Sequence, residues 1–317
     1  MSETLTPTTP AALSNALRSR PRSKRRINWG RIAAWAVMGL LLIITLFPFF
    51  WMIRTALSSN PDLVAGKESL IPPGASIVNF KRALGLATQH EITAATGAQT
   101  GTTINFFAAL KNSVIVCTLI TVGQVLFCSM AAYAFARLRF PGRNKLFFLF
   151  LVAMMIPPVF TLIPNFVLVK NLGLLNTYLG IAAPFLLMTP FAVFFLRQFF
   201  LGISKEVEEA AVLDGASRWR IFRQLIIPMS MAPLTTLAVL TYITAWNEYM
   251  WPLVAGSQPN VQVLTVALNA FKSSTPTAIP DWSGLMAATF LAAIPIILLF
   301  IALGRRMVDS IGFSGIK

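Results

Sequence analysis

Charge is scarce in this sequence. Of its 317 residues only 12% are Asp, Glu, Lys or Arg, about half the share that a soluble domain carries. Hydrophobic residues make up 56% and the mean hydropathy is +0.70. Such an excess is too large for a soluble core and points to a chain solvated by lipid. The single histidine, His90, lies in a polar loop with no partner at ligand spacing, so metal chemistry is not indicated. Only two cysteines occur, Cys117 and Cys128, in one apolar segment. On a helix they would share a face but lie about 16 Å apart along the axis. A disulfide needs Cα atoms within about 7 Å, so the two cannot pair. The pattern G-x-x-x-x-G-K-[ST] is also missing, so the chain has no phosphate cradle of its own for ATP. No cluster of His, Cys or acidic residues stands inside an apolar run, which argues against a membrane enzyme.

What is present is a series of apolar runs. Six windows, roughly 32–53, 113–136, 146–168, 178–200, 231–253 and 285–303, are long enough to cross a bilayer, which takes about 20 mostly apolar residues. An all-α polytopic membrane protein with six transmembrane helices is the expected fold. The third window carries "MMIPPVFTLIP", and Pro157, Pro158 and Pro164 must kink or break it. The first is too long for a signal-peptide core and no small-residue cleavage site follows, so it reads as an anchor.

The net charge of +15 comes from 26 basic against 11 acidic residues. The basic residues sit at the ends of apolar runs rather than along one face, which excludes nucleic acid as a partner. Most fall on one side. Arg18, Arg20, Arg22, Lys24, Arg25, Arg26 and Arg31 precede the first span; Arg137, Arg139, Arg143 and Lys145 lie between the second and third. Arg197, Lys205, Arg218, Arg220 and Arg223 surround the fourth connection, and Arg305, Arg306 and Lys317 follow the sixth span. The positive-inside rule then places both termini in the cytoplasm, with the chain multi-pass in its membrane. Residues 1–31 read as a basic, disordered cytoplasmic extension suited to anionic lipid headgroups, 32–317 as the transmembrane domain and 304–317 as a cytoplasmic tail. The external loop of about 54–112 contains "ATQHEITAATGAQTGTT", read as flexible. A later external segment, about 254–284, is apolar enough to fold against something.

Between the fourth and fifth spans lies a charged elbow, about 201–230, containing "EAAVLDGASRWRIFRQLIIP". Ser204 suits an N-cap, and Glu206, Glu208 and Glu209 favour the positive end of a helix. Gly215 stands where a helix end wants a left-handed residue. Ser217 can cap a second helix with Phe222, Leu225 and Ile226 on one face, and Pro228 marks the return to the membrane. A loop that only set orientation would need positive charge and no acidic cluster. Two readings are open from the residues: a helix-turn-helix made to fit another protein's cleft, or an amphipathic hairpin on the headgroups.

"EAAVLDGASRWRIFRQLIIP" resembles the EAA signature of ATP-binding-cassette importer permeases, with Glu209, Ala210, Ala211, Gly215 and Pro228 in register and Leu225 and Ile227 as conservative exchanges. "NSVIVCTLITVGQVLFCSMAAYAFARLRFPG", "AWNEYMWPL" and the tail "RRMVDSIGFSGIK" are similar to the MalG-type carbohydrate permeases, so the likeness covers most of the chain. It departs from them in the basic amino-terminal extension and the enlarged first external loop. The resemblance implies a type I importer permease fold and a coupling helix docked on a separate ATPase dimer, which holds the ATP and Mg. This chain would need no cofactor. A second homologous six-span chain and an extracytoplasmic sugar-binding protein are the other implied partners, and alternating access is the implied mechanism.

Polar groups inside spans are costly and often line pathways. Asn247 and Glu248 are the clearest, Glu248 being the only acidic residue inside any window. Trp246 and Tyr249 beside them, with Trp251, offer faces for a sugar ring, or an interfacial belt. Asn165 and Gln124 suit inter-helix hydrogen bonds. An importer of a related polar solute such as glycerol 3-phosphate is an alternative, although no basic residue stands inside a span. A stand-alone secondary transporter would couple ions through intramembrane carboxylates and carry inverted repeats; one carboxylate at a span's edge and no evident repeat oppose it.

Overall fold

A computed structural model of the chain describes residues 29–67, 69–96, 104–272 and 280–312. The basic extension before residue 29 and the last five residues, expected to be an arm and part of a tail, lie outside the described residues. The chain forms two units, Met1–Phe50 and Trp51–Lys317. Among the described residues every regular element is helical. In the first unit the helix α1, Trp29–Leu57, begins; it is apolar along its length, with Pro48 inside it.

The second unit is built around α5, Phe106–Arg137. Asn105 caps it by accepting a hydrogen bond from the Ala108 N–H. Small residues on one face, including Cys117, Gly123, Cys128 and Ala132, are buried and let neighbours approach closely. A Cβ added at Gly123 would lie 2.3 Å from the Leu186 carbonyl oxygen, so only glycine fits there. Both cysteines are free thiols in this core.

Among the described residues three helices, Trp29–Leu57, Phe106–Arg137 and Trp282–Gly304, are long and apolar enough to cross a membrane; three bent pairs, each taken as one span, bring the number to six. The expected third span is α6, Arg143–Ala153, and α7, Pro158–Asn171, bent by 102° at the prolines. The fourth, expected to be continuous, is instead α8, Tyr178–Leu186, and α9, Pro190–Gly202, bent by 48°. Pro190 cannot donate to the preceding turn and drives Thr189 into an extended conformation (φ −110°, ψ 141°). The fifth is also shorter than its window. Between α9 and it stand α10, Lys205–Leu213, and α11, Arg218–Met229; then α12, Met231–Asn247, stops, and α13, Met250–Ala255, restarts after a break at Glu248 and Tyr249. The last helix, Trp282–Gly312, carries Pro295.

At the end of the bundle away from α10, the short helices α2 (Asn60–Val64), α3 (Val78–Ala83) and α4 (Gln89–Thr96) are tied to the start of that last helix. Arg82, fully buried, pairs with Asp281 and donates to Asn79 Oδ1 (3.0 Å). Asp281 Oδ1 accepts from Ser283 Oγ and the Gly284 N–H, and Asn79 Nδ2 donates to the carbonyls of Ala56 and Ser58. The stretch expected to be flexible is helical over α4. Thr88 and Glu91 cap it reciprocally: the Thr88 N–H donates to Glu91 Oε2 (2.9 Å) and the Glu91 N–H to Thr88 Oγ1 (3.4 Å). Residues 97–103 of that stretch lie outside the described residues. The apolar segment after α13 folds inward as expected: Val261, Val263, Leu264, Val266 and Phe271 are buried, and Asn112 Nδ2 holds the carbonyls of Asn260 and Gln262.

Candidate functional site

The elbow is a helix, a left-handed turn and a second helix. Ser204 Oγ accepts from the Glu206 N–H (3.2 Å) and starts α10. At its end the Gly215 N–H donates to the Val212 carbonyl and the Ala216 N–H to that of Ala211, a Schellman pair. Gly215 has φ +78°, and a Cβ there would meet open space, so backbone conformation alone demands glycine. Ser217 Oγ caps α11 by accepting from the Arg220 N–H (3.3 Å). Pro228 offers no N–H to the carbonyl four residues back, and the ladder ahead of it widens into a π turn over Phe222–Ile226. A 78° bend then leads into α12.

The elbow has two faces. Outward stand Glu206, Glu209, Ala210 and Asp214, together with Val207, Val212 and Leu213, the last 88% exposed. Among the described residues nothing covers this leucine at a charged helix end. Inward, Ala211, Leu225 and Ile227 pack against a core containing Ile221, Phe222 and Ile226 from α11 and Tyr133, Leu196 and Phe200 from α5 and α9. Burying Ile221 and Ile226 completely contributes about 1.5–3 kcal/mol each. Glu208 also turns inward. Its carboxylate lies 3.0 Å from Arg137 Nε, both side chains under 10% exposed. The N–H is not aligned with the oxygen, so this is a charge contact without a hydrogen bond. Arg137 Nη2 donates instead to the carbonyls of Phe200 and Ile203, at the end of α9.

Between α5, α8, α9, α12 and α13 lies a cavity of about 390 Å³. Its walls are mostly apolar, with Gln124, Thr189, Thr241, Thr244 and Glu248 as polar groups and no lysine or arginine. Gln124 Oε1 accepts from Thr189 Oγ1 (3.1 Å) and Thr241 Oγ1 (3.4 Å), joining three helices at one level.

Of the pathway residues that the sequence points to, Glu248, Trp251 and Gln124 line this cavity, and Trp246, Asn247, Tyr249 and Asn165 do not. Glu248 sits in the break between α12 and α13, where Oε1 accepts from the Trp251 N–H (3.3 Å). Trp246 is buried against the last helix, donating Nε1–H to the Ala292 carbonyl and stacking on Tyr242. Asn247 is exposed and donates back to the Ile243 carbonyl of its own helix. Tyr249 packs among Val116, Ile181 and Val266. Asn165 is half-buried on α7, outside the lining.

Sequence reasoning missed the threonines and the Arg137–Glu208 pair. From the sequence Arg137 reads as one of the orienting charges and Glu208 as one of those favouring a helix start. A signal existed for Glu208: it shares a face with Ala211, three residues on, whereas Glu209 shares one with Leu213.

Residues 124–312 match the family model described as "Binding-protein-dependent transport system inner membrane component". The chain is 31% identical over 95% of its length to "Probable ABC transporter permease protein YurM" of Bacillus subtilis, covering 93% of that protein. It is 28% identical over 89% of its length to the "sn-glycerol-3-phosphate transport system permease protein UgpE" of Agrobacterium fabrum, covering 95% of it. With the "Diacetylchitobiose uptake system permease protein DasC" of Streptomyces coelicolor it shares 30% identity over 92% of its length and 99% of that protein. A chain of a bacterial ABC transporter that imports the acidic polysaccharide alginate has the same fold, with TM-score 0.70, 22% identity and 90% and 99% of the two chains covered. The chain belongs to the binding-protein-dependent transport system inner membrane components, the membrane-spanning permease subunits of ATP-binding-cassette importers.

Proposed function

We propose that this permease subunit imports a neutral sugar, with the elbow as the surface through which ATP hydrolysis in a separate subunit drives it. The observation that carries the coupling part is the two-faced helix α10. Its outer face presents Glu209, Ala210 and the bare Leu213 beside a Gly215 turn, while its inner face is seated on the bundle. Glu209 meets a basic group of the ATPase, which holds ATP and Mg; Ala210 and Ala211 let the surfaces close, and Leu225, Ile227 and Pro228 fix the return into the bundle. Two ATPase subunits closing on ATP bring two elbows together, and the pathway switches from inward- to outward-facing as one bistable element biased by its ligand. The second elbow belongs to a different six-span homologue, and an extracytoplasmic binding protein delivers the solute. Both termini and the elbow then face the cytoplasm, as the distribution of lysine and arginine favours.

The solute class rests on the cavity. Hydroxyls and amides from Thr189, Thr241, Thr244 and Gln124 suit the hydroxyls of a sugar, and the one charged group, Glu248, is acidic. A phosphorylated or carboxylated solute favours basic groups, of which the lining has none. The relatives include permeases of both kinds, for diacetylchitobiose and for glycerol 3-phosphate, so the choice between them rests on the cavity.

Purification of the tagged chain from native membranes in mild detergent, with mass spectrometry of what travels with it, tests the proposal. An ATPase subunit and a second six-span chain are expected, and the accompanying binding protein should retain neutral oligosaccharides and not glycerol 3-phosphate. A chain recovered alone and stable overturns the coupling part. A binding protein selective for phosphorylated solutes overturns the sugar part.

A further inference from the structure

The elbow's outer face explains how a partner takes hold of this chain but not how its movement reaches the cavity. The inner face supplies that link. Arg137 is the last residue of α5, and its guanidinium touches three separate pieces of backbone or side chain. Nη2 donates to the carbonyls of Phe200, which also accepts from the Ile203 N–H, and of Ile203, at the end of α9. Nε lies 3.0 Å from Glu208 Oε1, in the middle of α10. Both side chains are more than nine-tenths buried. One rigid, planar cation thus joins the end of the second span, the end of the fourth span and the helix of the elbow. The middle of each of the same two spans lines the cavity, through Val116, Ile120 and Gln124 on α5 and through Thr189 and Phe191 at the break between α8 and α9.

The join is also incomplete. Arg137 Nε and Glu208 Oε1 are both buried without an aligned hydrogen bond. The nearby Tyr133 hydroxyl lies beside Arg218 and within electrostatic reach of Glu208 and Arg137. Buried polar atoms are nearly always paired, so two facing groups left unpaired within one ion pair mark a place where a second arrangement satisfies groups that this one does not.

We propose that Arg137 and Glu208 are positioning residues that transmit elbow movement to the second and fourth spans, Arg137 acting as the pin. This rests on the coupling reading above, because it presupposes that a partner pushes on the outer face. Glu209 and Leu213 hold the partner; Glu208 and Arg137 convey what the partner does.

The test uses the complex recovered from native membranes with Thr244→Cys in the cavity wall, a position that is exposed in the cavity. The native cysteines are buried and give a low background. Labelling by a membrane-impermeant maleimide is compared between nucleotide-free and ATP–vanadate-trapped complex, alongside ATPase recovery and ATP hydrolysis. With Glu208→Gln the ATPase subunit is expected in normal amount and still active, while the nucleotide-dependent contrast in labelling falls about fivefold or more. Arg137→Lys, which keeps the charge, should retain most of the contrast, and Arg137→Met should not. A purely structural role would lower yield without separating hydrolysis from labelling. Full contrast in Glu208→Gln overturns the pin alone. Loss of the ATPase subunit from Glu208→Gln makes Glu208 a docking residue and also overturns it. Absence of any ATPase from the complex with the natural elbow overturns the coupling reading and the pin with it.

Discussion

Arg82 and Arg137 are both buried guanidiniums at helix ends, one near each end of the bundle, and their surroundings differ. Around Arg82 the ion pair is hydrogen-bonded and only Nε is left unpaired. Asp281 uses one oxygen for the ion pair and the other for Ser283 and the Gly284 N–H, and Asn79 is filled on both its oxygen and its nitrogen. A Cβ on Gly284 would come within 2.7 Å of Asp281, so the backbone also fits that carboxylate closely. Around Arg137 the ion pair itself is misaligned, and both facing atoms, Arg137 Nε and Glu208 Oε1, are left without a hydrogen bond. The first network specifies one arrangement and acts as a clamp. The second tolerates another arrangement, as an element that must move between states requires.

The comparison breaks most directly at the clamp. Arg82→Met leaves Asp281 buried without its counter-charge, at an expected cost of about 3–5 kcal/mol. Membrane yield and thermal stability in detergent should collapse, whereas Glu208→Gln should leave both near normal. The reverse pattern would invert the contrast. A smaller effect is expected at the turn. Gly215→Ala places a side chain at φ +78° in open space, a strain of about 1–2 kcal/mol, and Gly215→Asn costs less. Gly215→Pro and Glu209→Lys should abolish uptake of the sugar held by the binding protein while the chain stays in the membrane. Immunoblots of membrane fractions beside uptake rates check this.

The smallest effect lies in the far-side helices. Hydrogen bonding from Lys81 and then from Thr88 lowers the Glu91 pKa from 4.5 to about 2. A depressed folded-state pKa means that the cap's contribution is present above about pH 4.5 and is lost as the pH falls toward 2. The amide protection factors over residues 88–96, each rate taken relative to the intrinsic rate at its own pH, should therefore be lower at pH 3 than at pH 7. Glu91→Gln should flatten that dependence.

Much of this was legible in the sequence because lipid simplifies the problem. Apolar runs, Ser204, Gly215, Ser217 and Pro228 each state a local rule, and the elbow follows all of them. The breaks were harder. Pro157 and Pro158 announce theirs, but Pro190 stood inside a window that was read as unbroken. The interruption at Glu248 is marked only at a distance, by Pro252 four residues on, whose missing N–H leaves the Glu248 carbonyl to accept from Thr265 Oγ1 instead. The cap over α4 was legible as Thr88-x-x-Glu91 and was obscured by the alanine, threonine and glycine around it. The cavity was not legible. Thr189, Thr241 and Gln124 meet only because two broken spans and one straight helix bring distant positions to one level. Trp246 and Asn247 adjoin Glu248 in the chain, yet a helix turns them to other faces.

The central claim is that the outer face of α10 carries the contact with the ATPase. The most direct measurement is cross-linking of single-cysteine chains, Leu213→Cys and Glu209→Cys, with a short bismaleimide in the recovered complex. The account predicts a covalent product with the ATPase subunit from both positions, and none from Leu172→Cys, which is exposed just beyond α7 and away from the elbow. An ATPase subunit that co-purifies fully but joins neither elbow cysteine would contradict it.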